Sequence, residues 1–88
     1  MRAVTLGYGG KHIKSMDRTF ENCASLKEVD LGNLNLKNLE KLDRTFGNCE
    51  SLTDLNLKAV RNSEKLYSIS GTFSDCKDLK HLELSDIP

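Results

Sequence analysis

The chain has 88 residues with thirteen basic and thirteen acidic side chains, so its net charge is zero and nothing favours binding to nucleic-acid phosphates or anionic membranes. This length suits one small domain over residues 1–88, and an aromatic content of 6% without Trp argues against a globular core built from large rings. No apolar stretch is long enough to span a membrane and the N-terminus has no hydrophobic signal segment, so we expect no membrane insertion.

One spacing of apolar residues recurs three times along the chain. Its copies are Ile13-x2-Met16-x3-Phe20-x2-Cys23-x2-Leu26-x2-Val29-x-Leu31, Leu39-x2-Leu42-x3-Phe46-x2-Cys49-x2-Leu52-x2-Leu55-x-Leu57 and Leu66-x2-Ile69-x3-Phe73-x2-Cys76-x2-Leu79-x2-Leu82-x-Leu84. A repeat of 26 to 27 residues indicates one supersecondary unit that is stacked on copies of itself to bury its apolar face. We expect coils at about residues 1–25, 26–51 and 52–78, and a partial coil at 79–88.

The end of each unit alternates apolar and polar residues, which predicts a short half-buried strand. Because each coil contributes one strand and the chain crosses over between them, the strands should pair in parallel. The predicted strands are Ala3–Leu6, Lys27–Leu31, Thr53–Leu57 and Lys80–Leu84.

Between the strands, apolar residues at positions i, i+4 and i+7 predict one short helix per coil. The predicted helices are Met16–Cys23, Leu42–Cys49 and Ile69–Cys76. The candidate N-terminal caps are Ser15, Asp17, Asp43 and Ser70. Residues that tolerate left-handed backbone geometry stand just before each cysteine, where they can end the turn, and they are Asn22, Asn48 and Asp75.

The most distinctive stretch of the chain is Thr19-Phe20-Glu21-Asn22-Cys23-Ala24-Ser25-Leu26-Lys27-Glu28-Val29-Asp30-Leu31, echoed by Thr45-Phe46-Gly47-Asn48-Cys49-Glu50-Ser51-Leu52. It resembles the bacterial leucine-rich repeat of BspA type, in which a Phe-x2-Cys-x2-Leu segment comes directly before each strand. The resemblance covers nearly the whole chain. It implies a right-handed α/β solenoid, with a parallel sheet of about four short strands on the concave side and short helices opposite. It also implies kinship with long exported or surface proteins that bind other macromolecules.

Three cysteines share one position of the repeat, so stacked coils would align Cys23, Cys49 and Cys76 in a column. Structural zinc prefers clustered pairs such as C-x2-C and usually four ligands, and neither is found here. An odd cysteine count also disfavours a disulfide framework. We interpret the cysteines as small core hydrophobes beside a column of Phe residues, and we expect no metal or cofactor.

The outward positions of the strands supply the candidate binding site. Alternation exposes a group of acidic and polar side chains, and the candidate protein-binding residues are Glu28, Asp30, Asp54, Asn56, His81 and Glu83. In a chain of zero net charge, such a patch would attract a basic protein partner through its local arrangement. The alternative is an ordinary solvated sheet face, whose carboxylates Lys27, Lys58 and Lys80 would screen.

The sequence favours a protein-binding module over an enzyme, because no nucleophile, base and orienting group share a recognisable arrangement. One alternative is a structural segment of a longer surface-protein solenoid, or a homo-oligomer joined through uncapped ends. Another is a small intracellular protein that inhibits a larger enzyme by occlusion. If the chain is part of an exported protein, we expect it at the cell surface or outside the cell. If the chain is complete, we expect it in the cytoplasm, and the sequence does not decide between these two cases.

Overall fold

Three short strands at equivalent positions of the repeat form one parallel sheet. They are β1 (Ala3–Thr5), β2 (Glu28–Asp30) and β3 (Asp54–Asn56), in the order β1-β2-β3. The computed structural model describes residues 2–79. Val4 lies beside Val29, and Val29 lies beside Leu55, so each position of the repeat neighbours its own equivalent. The parallel sheet confirms three of the predicted strands, and the fourth, Lys80–Leu84, lies outside the described residues.

The sheet buries one of its faces, as the period-two alternation predicts. Val29 and Leu55, in the middle of β2 and β3, are 2% and 8% exposed. Their neighbours Glu28 and Asp54 point to the opposite face and are exposed. The sheet therefore has an apolar inner face and a polar outer face.

The predicted helices are wrong, because turns lie opposite the sheet instead. We call residues 15–23, 41–49 and 68–76 the first, second and third turn segments. Their alternate N–H groups donate to the next segment rather than along their own: the N–H of Phe20 donates to the carbonyl of Thr45 at 2.8 Å. The N–H of Phe46 in turn donates to the carbonyl of Thr72 at 3.0 Å. In an α-helix, the same N–H groups would donate to carbonyls four residues earlier within the segment.

Tandem turns produce the four-residue apolar spacing that resembles a helix in the sequence. The carbonyl of Met16 accepts from the N–H of Thr19, and that of Phe20 accepts from the N–H of Cys23, both at 3.2 Å. The third residue of each turn has positive φ, with 59° at Arg18 and 65° at Asn22. This sign suits that position of a type II turn and is incompatible with an α-helix. Two successive turns of this kind place Met16, Phe20 and Cys23 on the same inner side.

The prediction of left-handed residues before each cysteine is confirmed. Asn22, Asn48 and Asp75 have φ values of 65°, 57° and 59°. The earlier turn of each segment adds a second left-handed position that the sequence analysis missed. Arg18, Arg44 and Gly71 occupy it.

Columns of equivalent apolar side chains fill the space between the sheet and the turn segments. The rings of Phe20 and Phe46 stack with centroids 5.5 Å apart, and those of Phe46 and Phe73 stack at 6.1 Å. Phe46 is fully buried, whereas Phe73 in the third segment is only half-buried. The prediction that the Phe residues stack on the inner side is therefore confirmed.

The described part of the chain has little helix. A single 3₁₀ helix, Lys58–Asn62, follows β3 and buries Ala59 and Val60. No helix within residues 2–79 has the length and apolar character needed to cross a bilayer. The described residues thus form a small domain with a three-stranded parallel sheet and non-helical crossovers between its strands.

Candidate functional site

The outer side of the sheet has an open depression of about 320 Å³ that extends across all three strands. We call this surface the sheet face, and its outward residues are Ala3, Thr5, Glu28, Asp30, Asp54 and Asn56. Four of the six predicted binding residues meet here: Glu28, Asp30, Asp54 and Asn56. The other two, His81 and Glu83, lie outside the described residues.

Two carboxylates lie side by side at the start of the sheet face. The parallel register pairs Glu28 directly with Asp54, and both side chains are exposed. The hydroxyl of Thr53 donates to Oδ2 of Asp54 at 3.4 Å. Because like charges at paired positions repel each other, this pair favours the approach of a cationic group.

A second pair of outward side chains, Asp30 and Asn56, fixes the chain reversals at the strand ends. The N–H of Gly32 donates to Oδ1 of Asp30 at 2.8 Å, and the N–H of Lys58 donates to Oδ1 of Asn56 at 3.0 Å. The amide Nδ2 of Asn56 also donates to Oδ1 of Asp30 at 3.0 Å. Such bonds from a side chain to the N–H two residues later hold Asx turns. Both residues therefore have a structural task, which the sequence analysis did not foresee.

The packing around this second pair leaves little room for a side chain at position 32. A Cβ on Gly32 would lie 2.7 Å from Nδ2 of Asn56 and 3.1 Å from Oδ1 of Asp30. Any side chain at this position would therefore displace the hydrogen-bonded pair of Asp30 and Asn56. The glycine lets the chain turn closely against the end of the sheet face.

Two of the three lysines considered for screening the sheet face, Lys27 and Lys58, lie in the described part of the chain. Lys27 and Lys58 are exposed, and neither forms an ion pair with a carboxylate within residues 2–79. Lys80, the third lysine considered for this role, lies outside the described residues. Glu28 and Asp54 both keep their side chains exposed at the surface.

Two of the four predicted helix caps, Asp17 and Asp43, form a polar column on the turn segments. Oδ1 of Asp17 accepts from the N–H of Asp43 at 2.8 Å, and Oδ1 of Asp43 accepts from the N–H of Ser70 at 3.0 Å. Ser68 donates its hydroxyl to the same Asp43 oxygen at 2.5 Å, and this bond is the main reason that the pKa of Asp43 is lowered. The hydrogen bond and the charge of Asp17 raise the pKa of Lys41. These side chains cap N–H groups of the next segment, so their role is structural.

Two of the three cysteines donate thiol hydrogen bonds to the preceding turn segment. The thiol of Cys49 donates to the carbonyl of Phe20 at 3.1 Å, and that of Cys76 donates to the carbonyl of Phe46 at 3.0 Å. Burial raises the pKa of Cys49 to about 11, which keeps this thiol protonated at neutral pH. The three cysteines are free, and the described residues contain no cluster of three side chains suited to a metal ion.

No protein-family model, curated protein or solved structure matches the chain. The resemblance to BspA-type repeats therefore stays a prediction from the sequence. The chemistry of the chain's own surface carries any functional inference, and on the sheet face that surface combines paired carboxylates with an open depression.

Proposed function

We propose that this chain is a leucine-rich-repeat solenoid of BspA type that binds a protein partner through the concave side of its sheet. The assignment to this class is supported by the register, which pairs equivalent positions of successive repeats, and by the stacked column of Phe rings. The proposed site is the sheet face.

One observation carries the choice of site, namely the pairing of Glu28 with Asp54 beside the open depression. A Lys or Arg side chain placed between these carboxylates would relieve their repulsion and gain charge-assisted hydrogen bonds. The expected partner is therefore a protein segment rich in Lys or Arg. Asp30 and Asn56 hold the floor of the site in place through their turns, and Glu28 and Asp54 make the contacts.

Charge reversal on the sheet face tests this proposal. The double variant Glu28→Lys with Asp54→Lys should weaken binding of a fluorescent ten-residue peptide of alternating Lys and Gly at least tenfold, measured by fluorescence anisotropy. Binding by the unchanged chain should also weaken as salt rises from 50 to 300 mM, since exposed charges are screened over about 8–10 Å at moderate ionic strength.

The matched control reverses two exposed acids elsewhere, Glu50→Lys with Glu64→Lys, and has the same net charge as the test variant. The control should keep the affinity of the unchanged chain. Equal losses in both variants would show attraction by net charge alone and would reject the sheet face as a site. Affinity capture from the native source with the same three proteins extends the test, because a specific partner must be retained by the control and lost by the sheet-face variant.

A further inference from the structure

The third turn segment carries a row of main-chain donors that have no acceptor within residues 2–79. These are the N–H groups of Ile69, Gly71, Phe73 and Asp75. Their equivalents in the second segment all donate to the third: those of Leu42, Arg44, Phe46 and Asn48 reach carbonyl oxygens at 2.9, 2.9, 3.0 and 2.7 Å. The third segment therefore presents the same row of donors with nothing beyond it in the described part of the chain.

The first turn segment presents the complementary row of acceptors. Within residues 2–79, no donor reaches the carbonyl groups of Ser15, Asp17, Thr19 and Glu21. Their equivalents in the second segment, Lys41, Asp43, Thr45 and Gly47, accept from the first segment at 2.8 to 3.0 Å. Donors and acceptors at the two ends thus have the same two-residue spacing.

The side chains at the two ends match in the same way. Between the first two segments, the thiol of Cys49 donates to the carbonyl of Phe20, and the amide of Asn48 donates to Oδ1 of Asn22 at 3.0 Å. The corresponding donors at the first segment are the thiol of Cys23 and the amide of Asn22. The corresponding acceptors at the third segment are the carbonyl of Phe73 and the carboxylate of Asp75.

Apolar surface accompanies these polar groups at the end of the third segment. Ile69 is 47% exposed, although its equivalents Met16 and Leu42 are 4% and 0% exposed. Phe73 stacks on Phe46 with one face and is only half-buried. Another turn segment placed against this end would bury both side chains.

We infer that this chain binds a second copy of itself head to tail, with the third turn segment of one copy against the first turn segment of the next. Four N–H groups then meet four carbonyls in register, and the first turn segment of the next copy covers the half-buried Phe73. The amide of Asn22 meets the carboxylate of Asp75, which gives a charge-assisted bond. Because the two surfaces differ, the contact is heterologous and repeats along an open chain of copies or closes into a ring.

The association state in solution tests this inference. Light scattering with size-exclusion chromatography should give a mean mass above the 9.9 kDa of one chain, rising with concentration. The variant Ile69→Lys places a charge in the contact, where burial without a partner is costly, and should remain at 9.9 kDa. Asn33→Lys, an exposed site in the middle of the chain, adds the same charge and should associate like the unchanged protein.

The inference would be overturned if only a species of 9.9 kDa were found at all concentrations up to about 1 mM. A Kd of about 1 mM corresponds to a binding free energy of roughly −4 kcal/mol. Residues 80–88 of the same chain would then be the favoured occupant of this end. Circular dichroism of Ile69→Lys checks that the monomer remains folded. The sheet-face variants should associate normally, so failure of the proposed function and failure of this contact are distinguishable.

A disulfide trap locates the contact independently of any destabilised variant. In Cys49→Ala, Cys23 and Cys76 of one chain lie two steps of the stack apart, about 10 Å at the usual strand spacing, which is too far for a disulfide. Across the proposed contact they are one step apart, so mild oxidation should join Cys76 of one copy to Cys23 of the next and give a ladder on a non-reducing gel. Oxidised chains that remain monomeric, or a ladder without the Cys23 to Cys76 link by mass spectrometry, would contradict the contact.

Discussion

At the scale of single residues, the turn segments depend on backbone conformations that most side chains avoid. Arg18 and Arg44 have φ values of 59° and 53°, and Gly71 takes the equivalent position at 65°. Left-handed geometry costs a non-glycine residue about 1–2 kcal/mol. The hydrogen bonds between segments offset this cost, since the N–H of Arg44 donates to the carbonyl of Ser70 at 2.9 Å.

Replacement of Gly71 tests this balance. Gly71→Ala should destabilise the chain by about 1 kcal/mol. The alanine would have to keep the left-handed φ of 65°, and its Cβ would lie 3.2 Å from Cγ of Arg44. Gly7→Ala is the control, since a Cβ at Gly7 meets no atom within 4 Å. Urea denaturation followed by circular dichroism measures both, and equal stability of the two variants would show that the left-handed position at 71 is not required.

At the scale of elements, the first and second turn segments are held by the segment that follows as well as by their own turns. Asp43 shows this directly, because its carboxylate accepts from both Ser68 and Ser70 of the third segment. The hydrogen bond from Ser68 lowers the pKa of Asp43 in the folded chain. A lowered folded pKa adds stability at pH values above the unfolded pKa, and this stability is lost as pH falls through the folded pKa.

The pH dependence of unfolding checks the role of Asp43. The urea midpoint of the unchanged chain should fall as pH drops from 6 to 2, and Asp43→Asn should flatten part of that decline because its side chain no longer titrates. Glu50→Gln, an exposed carboxyl outside the column, should keep the decline of the unchanged chain. Parallel curves for Asp43→Asn and the unchanged chain would contradict the role given to this carboxylate.

The strands and turn segments differ in how far their sequence predicts them. Period-two alternation identifies Val29 and Leu55 as inward and Glu28 and Asp54 as outward, because a strand permits no other arrangement. Spacing of i, i+4 and i+7 does not separate a helix from tandem four-residue turns, since both align the same side chains. The distinction comes from where the main-chain hydrogen bonds go, and those partners lie 25 or 26 residues away, as in Phe20 to Thr45 and Phe46 to Thr72.

The candidate site shows the same division at the level of contacts. Four outward residues of the sheet face follow from alternation alone. The bond from Asn56 to Asp30, by contrast, spans 26 residues and depends on the register between β2 and β3. The close packing of Gly32 against these two side chains arises from that bond and has no local signal in the sequence.

At the scale of the whole molecule, one column of rings joins the successive repeats. Phe46 is fully buried between two rings at 5.5 and 6.1 Å, whereas Phe73 has one ring neighbour within the described residues and is half-buried. Stability should therefore be greatest in the middle of the stack and least at the third segment. Removal of a central ring affects both of its neighbours.

Substitution along the Phe column measures this gradient. Phe46→Leu should cost about 2 kcal/mol through lost stacking and an unfilled space, and Phe73→Leu should cost about half as much. Urea denaturation at low micromolar concentration keeps the chain monomeric, so the proposed contact between copies does not protect Phe73. Equal losses, or a larger loss at Phe73, would contradict a stack that is most stable at its centre.

The order of apolar and polar residues was sufficient to reveal the repeat, the parallel strands, the outward carboxylates and the left-handed residues before each cysteine. These features depend on local geometry and on the identity of equivalent positions, which a single chain already contains. Only the tertiary structure showed that turns replace the predicted helices. It also showed the thiol hydrogen bonds to the Phe carbonyls and the pairing of Asp30 with Asn56. They depend on contacts between residues of successive repeats, and these contacts form only when the repeats stack on one another.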